Sequence, residues 1–166
     1  MDQNKIELLF QENGLKMTPR AKKAVELFEG GYNCAQSVFG AFADKIDLSF
    51  ETMMALSSGF GGGIGRLREV CGAVSGGVFV LGYLFDKGVI PSVEEKAAGY
   101  ERIQNFAKVF EKAFGSYLCR ELLELPFKND SPVPEARTPE YYFSRPCSLF
   151  VGLSAALIDR ILEEEK

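Results

Sequence analysis

Between Pro91 and Gly115 the apolar residues Tyr100, Ile103, Phe106, Ala107, Phe110 and Phe114 return at helical spacing. Steps of three and four stack side chains on one face of a helix, whereas a half-buried strand needs alternation by two. No sustained alternation by two occurs anywhere in the 166 residues. The chain is therefore expected to be all-α, a compact bundle of about seven to eight helices, with a glycine-rich loop before a central helix. Its length suits a single domain, residues 1–166, that buries its own core without staples.

The helix boundaries are punctuated. Residues 3–12 read as a helix, and Thr18-Pro19 starts a second that stops at Gly30-Gly31. A third spans about 34–44, and Ser49 caps a fourth that runs to about 57. After the glycine loop, Val70, Val74, Val78, Leu81 and Phe85 share one face of a helix over about 69–86. Pro91-Ser92 opens the long stripe described above, Gly115 ends it, and a short helix follows over about 117–125. Residues 126–139 hold four of the seven prolines and read as an ordered loop, before a last helix over about 146–163.

Composition removes several function classes. The net charge of −4 provides no basic field for nucleic acid or an anionic membrane. No run of 18 apolar residues is present, so no direct membrane insertion is expected. The start, "MDQNKIELLFQENG", is acidic and amphipathic rather than a cationic leader, and a cytoplasmic protein is expected. The chain has no histidine, which excludes a Ser-His-Asp triad, a Cys-His pair, an H-E-x-x-H zinc site and C-x-x-C-H haem attachment. Any chemistry must use cysteine, carboxylate, lysine, arginine, tyrosine or a bound cofactor.

Four cysteines, Cys34, Cys71, Cys119 and Cys147, lie 37, 48 and 28 residues apart, with no C-x-x-C among them. Scattered cysteines of this kind commonly serve as inert core residues. Their settings point elsewhere. Asn33 and Gln36 form a capping pair that puts Cys34 at the first helical position. Ser116 as a cap would put Cys119 at the third position, Pro146 puts Cys147 in a first turn, and Cys71 follows the glycine loop at or near a helix start. A helix start presents free N–H groups and the positive end of the macrodipole, which lower a thiol pKa and favour a nucleophile or metal ligand.

Eight glycines crowd the nineteen residues "GFGGGIGRLREVCGAVSGG" from Gly59 to Gly77. The loop fits neither a P-loop nor G-x-G-x-x-G, and no strand precedes it, so a nucleotide fingerprint is rejected. Three uses remain: a turn with several positive φ angles, an anion nest, or N–H groups aimed at the sulfurs of a cluster, with Arg66 and Arg68 adding positive charge. Gly61, Gly62, Gly63, Gly65, Arg66, Gly72, Ala73 and Gly76 are the candidate cofactor-binding residues. Inside the following helix, Gly72, Ala73, Ser75, Gly76 and Gly77 leave one side nearly bare, so another helix or a cofactor is expected to come close to that backbone.

Cys34, then "CGAVSG" from Cys71 to Gly76, then Cys119 and Cys147, with "NCAQSV" and "GFGGGIGR" around the first two, resemble the C_GCAxxG_C_C family of small prokaryotic redox proteins. The resemblance covers about residues 30–157 and leaves residues 1–29, the N-terminal helices, outside. It implies a helical fold and a redox or metal role for the four cysteines. The family is similar in part to split-Soret cytochromes c, whose haem attachment motif is missing from this chain.

The leading expectation is a redox site of Cys34, Cys71, Cys119 and Cys147, either as ligands of an iron–sulfur cluster or as pairs cycling between dithiol and disulfide. The alternatives are a structural zinc site on the same four residues, or a cofactor-free partner-binding helical domain with core cysteines. An anion-binding loop at Arg66 and Arg68 is a further option. A redox or transport-related protein partner and a homo-oligomer are expected.

Overall fold

The computed structural model describes residues 3–86, 88–126 and 130–165. Among these there are nine helices and no strand: α1 Gln3–Glu12, α2 Pro19–Glu29, α3 Cys34–Gly40, α4 Phe50–Ser57, α5 Gly72–Phe85, α6 Val93–Phe114, α7 Cys119–Leu122, α8 Pro139–Ser144 and α9 Cys147–Glu164. The all-α expectation holds, and the count exceeds the expected seven to eight. The added helix is α8. It begins with the same Thr-Pro signal as α2: the Thr138 hydroxyl accepts the Tyr141 N–H at 3.3 Å, and Pro139 occupies the first helical position.

The core forms around α9. Every residue from Phe150 to Asp159 is buried, so this helix is enclosed on all sides, mainly by α2, α5 and α3. Its polar members are satisfied in place. The Ser154 hydroxyl donates to the Ala73 carbonyl at 2.7 Å and joins α9 to α5. Asp159 accepts from the Arg20 guanidinium at 2.8 Å, and Arg20 also pairs with Asp44. The ring of Phe150 meets those of Phe110 and Phe114 at 6.0 and 4.7 Å and ties in the C-terminal half of α6. Phe106 and Phe110 are buried as the stripe predicts, while Tyr100, expected in the core, is 63% exposed, because the N-terminal half of α6 faces α5 across an open groove, at whose edge Arg102 lies over the Phe85 ring at 4.1 Å.

The bare side of α5 receives a helix. A Cβ on Gly76 would stand 2.7 Å from the Ala35 carbonyl oxygen and 2.9 Å from the Val38 Cβ, and one on Gly72 would stand 2.9 Å from the Cys34 Cβ. Both neighbours belong to α3, so the small-residue face brings the Cys34 helix into backbone contact with α5. The side chain of Phe106 fills the space that a Cβ on Gly77 would need.

The loop before α5 is a left-handed turn. Five consecutive residues, Gly62, Gly63, Ile64, Gly65 and Arg66, have positive φ, and so does Arg68. The Leu67 N–H closes onto the Ile64 carbonyl at 3.0 Å, and the Glu69 N–H onto the Gly63 carbonyl at 3.1 Å. Past the turn, Val70 forms an isolated antiparallel bridge with Leu118.

Candidate functional site

All four cysteines stand at helix starts. Cys34 is the first residue of α3, where the Asn33 side chain accepts from the Gln36 N–H and the Gln36 side chain accepts from the Asn33 N–H, each at 3.0 Å. Cys71 is the cap of α5, its carbonyl accepting from the N–H groups of Val74 and Ser75. Cys147 is the first residue of α9, behind Pro146. Cys119 is the first residue of α7, not the third as expected. Ser116 lies outside the helix: its hydroxyl accepts from the Leu118 N–H at 2.9 Å and donates to Glu121 at 2.6 Å.

These four residues line one cavity of about 50 Å³, together with Arg68, Arg137, Arg145, Tyr141, Gly62 and Gly72 among others. Local contacts make them converge. The Cys71 N–H donates to the Tyr117 carbonyl at 2.9 Å, and the Cys119 N–H donates to the Glu69 carbonyl at 2.7 Å, so the two segments before α5 and α7 are pinned side by side. Gly63 sits beneath Cys119: its φ is +68°, and a Cβ there would lie 2.7 Å from the Cys119 Cβ. The close approach of Gly72 to Cys34 brings in the third sulfur, and α9 carries Cys147 against it. All four thiols are free.

The other candidate residues are divided. Gly62 and Gly72 reach the cavity. Gly61 packs against the Asn33 side chain, Gly76 against Ala35, and Gly65 completes the left-handed turn. The Ala73 carbonyl receives Ser154. Arg66 turns to Asp130 at 2.5 Å. Arg68, which the sequence offered only as added charge, is 3% exposed, pairs with Asp130 and donates to the Cys119 sulfur at 3.7 Å. Arg137, Tyr141 and Arg145 were missed. Arg145 had a signal, being two residues before Cys147, whereas Arg137 lies in the proline loop with nothing nearby to mark it.

Burial and the neighbouring thiols raise three of the four thiols, and the one that is lowered, Cys147, owes this to Cys34 and to arginines rather than to its place at a helix start. Burial pushes the Cys71 thiol well up, and Cys119 and Cys147 add repulsion; hydrogen bonds from the backbone at Ala73 and Val74 offset part of this. Burial also raises Cys119, opposed by Arg68. Cys34 and Cys147 govern each other's ionisation. Hydrogen bonding with Cys147, then burial, pushes the Cys34 thiol up, while the same interaction with Cys34 draws Cys147 below the ordinary thiol value against the cost of its burial. Arg145, Arg137 and Arg68 add to the stabilisation of the Cys147 thiolate. Each of the six pairs among the four cysteines is close enough for one charge to act on the other.

The surroundings carry surplus positive charge. Arg66 and Arg68 share Asp130, Arg145 pairs with Glu135 at 2.5 Å, and Arg137 has no carboxylate partner among the described residues. With the thiols neutral, four guanidiniums face two carboxylates. Arg120 and Glu69 cancel each other at 2.9 Å.

An all-α fold with four helix-start cysteines on one cationic cavity defines a thiol-centred helical protein. Residues 32–161 match the family described as "Putative redox-active protein (C_GCAxxG_C_C)", and the chain belongs to that family. An uncharacterized protein of Archaeoglobus fulgidus is 29% identical over 112 residues, which cover 67% of this chain and 68% of that protein. No solved structure matches. No helix among the described residues is long and apolar enough to cross a membrane.

Proposed function

We propose that this protein is a two-electron thiol redox protein in which Cys34 and Cys147 cycle between dithiol and disulfide. The observation that carries the reading is that these two free thiols, each at the start of its helix, line one small cavity in which each acts on the other's ionisation, Cys34 being pushed up and Cys147 drawn down. The oxidant is a low-molecular-weight disulfide. The Cys147 thiolate attacks one sulfur of that disulfide, the S–S bond breaks, and the first thiolate leaves, giving a mixed disulfide on Cys147. Cys34 then passes its proton to the departed thiolate. The Cys34 thiolate attacks the Cys147 sulfur and expels the second thiolate, which is protonated by water. One external disulfide becomes two thiols, and the two electrons come from the Cys34–Cys147 pair. Arg145, Arg137 and Arg68 stabilise the attacking thiolate. Cys71 and Cys119, held as thiols by burial, complete the cavity wall.

The convergence of all four cysteines supports a second reading, a metal-bound centre. Four soft thiolates suit an iron–sulfur cluster or zinc, and the surplus of guanidiniums suits the anion that four bound thiolates make. As the side chains stand, no three His, Cys, Asp or Glu among the described residues are grouped to hold a metal ion, so this reading rests on donor chemistry alone. A cluster would supply one-electron transfer, with Cys34, Cys71, Cys119 and Cys147 as its holders.

The test is a visible spectrum with metal and sulfide analysis on protein purified without oxygen, followed by thiol counting before and after oxidation. A colourless protein that loses two thiols, found by mass spectrometry in a Cys34–Cys147 disulfide and recovered with reductant, is the expected result. Brown protein with iron and sulfide, bleached by Cys71→Ser, replaces it with the cluster reading. Four thiols that never change leave only inert core cysteines.

A further inference from the structure

Arg137 is held by aromatic rings at the edge of the thiol cavity. Its guanidinium lies over the rings of Phe28, Tyr141 and Tyr142, with centroids at 4.6, 4.8 and 5.8 Å. Contact with three rings, two pairs of them nearly perpendicular, restrains a side chain that would otherwise sample many rotamers. Tyr142 is itself anchored, its hydroxyl donating to the Glu29 carbonyl at 3.0 Å. Among the described residues the guanidinium makes one hydrogen bond, to the Tyr32 carbonyl at 3.4 Å. Most of its five N–H donors are left for a ligand. The residue is exposed, yet it also lines the thiol cavity, so it stands at the mouth. Arg145 and Arg68, deeper in the cavity, are each answered by a carboxylate.

The cavity itself holds no more than a few water-sized groups. A disulfide can put its S–S bond there only if its substituents stay outside, beside Arg137. We infer that the substrate is a low-molecular-weight thiol or disulfide carrying a carboxylate or other oxyanion, and that Arg137 grips this anionic group at the mouth while the sulfur enters. A planar guanidinium with a free fork recognises an oxyanion in two-pronged fashion, which an uncharged substituent cannot match. This inference rests on the dithiol reading above.

The test compares two small disulfides of similar size as oxidants of the reduced protein: dithiodiglycolate, which is anionic, and bis(2-hydroxyethyl) disulfide, which is neutral. Each rate is divided by that of the same reagent with free 2-mercaptoethanol, an uncharged thiol, which removes intrinsic reactivity without adding charge repulsion of its own. The wild-type protein is expected to favour the anionic reagent by about tenfold, the scale of one charge-assisted hydrogen bond. Arg137→Gln brings the ratio to near one, added salt erodes it, and Arg137→Lys restores part of it. Circular dichroism and thermal melting check that the variants fold, which an exposed site should permit. A wild-type ratio of one, or a ratio unchanged in Arg137→Gln, overturns the anionic substrate and leaves the dithiol function standing. Failure of both reagents to join Cys34 to Cys147 overturns the function as well.

Discussion

Replacing Gly76 by alanine tests whether the small-residue face of α5 positions the Cys34 helix. Alanine favours a helix interior over glycine by about 1 kcal/mol, so propensity alone predicts a more stable protein. The packing opposes it. The new Cβ would stand 2.7 Å from the Ala35 carbonyl oxygen and 3.1 Å from the Ala35 Cα, both backbone atoms that cannot rotate away. Helices α3 and α5 must part by several tenths of an ångström, which weakens dispersion contacts along the seam. Overpacking of this kind costs about 1–3 kcal/mol. The net for Gly76→Ala is a loss of about 0–2 kcal/mol. Gly82 is the control, since it lies in the same helix with nothing within 4 Å of its would-be Cβ. Gly82→Ala should gain about 1 kcal/mol, so the two variants should differ by about 1–3 kcal/mol in urea unfolding at unchanged m. Ala35 follows Cys34 directly, so Gly76→Ala should also slow formation of the Cys34–Cys147 disulfide, while Gly82→Ala should not. Equal stabilisation by both variants would refute the argument that contact between α3 and α5 requires glycine.

Three further outcomes are expected. Absorbance of thiolate at 240 nm should show one thiol ionising below the ordinary range of about 8.5 and the rest above it, with Cys147→Ser removing the low step. Cys71 has a folded pKa above its unfolded value, so its contribution to stability is complete below the unfolded pKa and is lost as pH rises toward the folded one; denaturation midpoints should fall above about pH 8.5, and less steeply in Cys71→Ala. Ser154→Ala removes the hydroxyl that donates to the Ala73 carbonyl and should cost about 1 kcal/mol in urea unfolding while leaving the thiol titration unmoved.

The local features of the site were legible because they follow from neighbours in sequence. Asn33 and Gln36 are three residues apart and close a capping box on each other, which fixes Cys34 at a helix start whatever surrounds it. The stripe through Phe106 and Phe110 likewise encodes its own helix. Helix α8 was legible too, since Thr138-Pro139 repeats Thr18-Pro19, but the prolines around it drew the reading toward a loop. Convergence was not legible. It depends on Cys119 donating to Glu69, fifty residues earlier in the chain, and on Gly63 fitting beneath Cys119, neither of which leaves a periodic trace.

The same division between local and long-range causes explains the thiol chemistry. Position at a helix start is a local property and favours a thiolate at every one of the four residues. Burial and mutual repulsion come from the assembled cavity and work the other way. At Cys71 the backbone N–H groups of its own helix help, but they do not offset burial. At Cys119 the buried Arg68 helps, and the thiol still stays up. Only Cys147 is held down, because it alone combines a donating thiol, Cys34, with three guanidiniums. The sequence motif thus presents four equivalent cysteines, and the fold makes them inequivalent. A cavity of equivalent thiols in contact would resist ionisation as a whole, since each new charge raises the next pKa. One thiol drawn down beside one pushed up is the asymmetry that the proposed dithiol cycle needs, with Cys147 as the attacking sulfur and Cys34 as the resolving one.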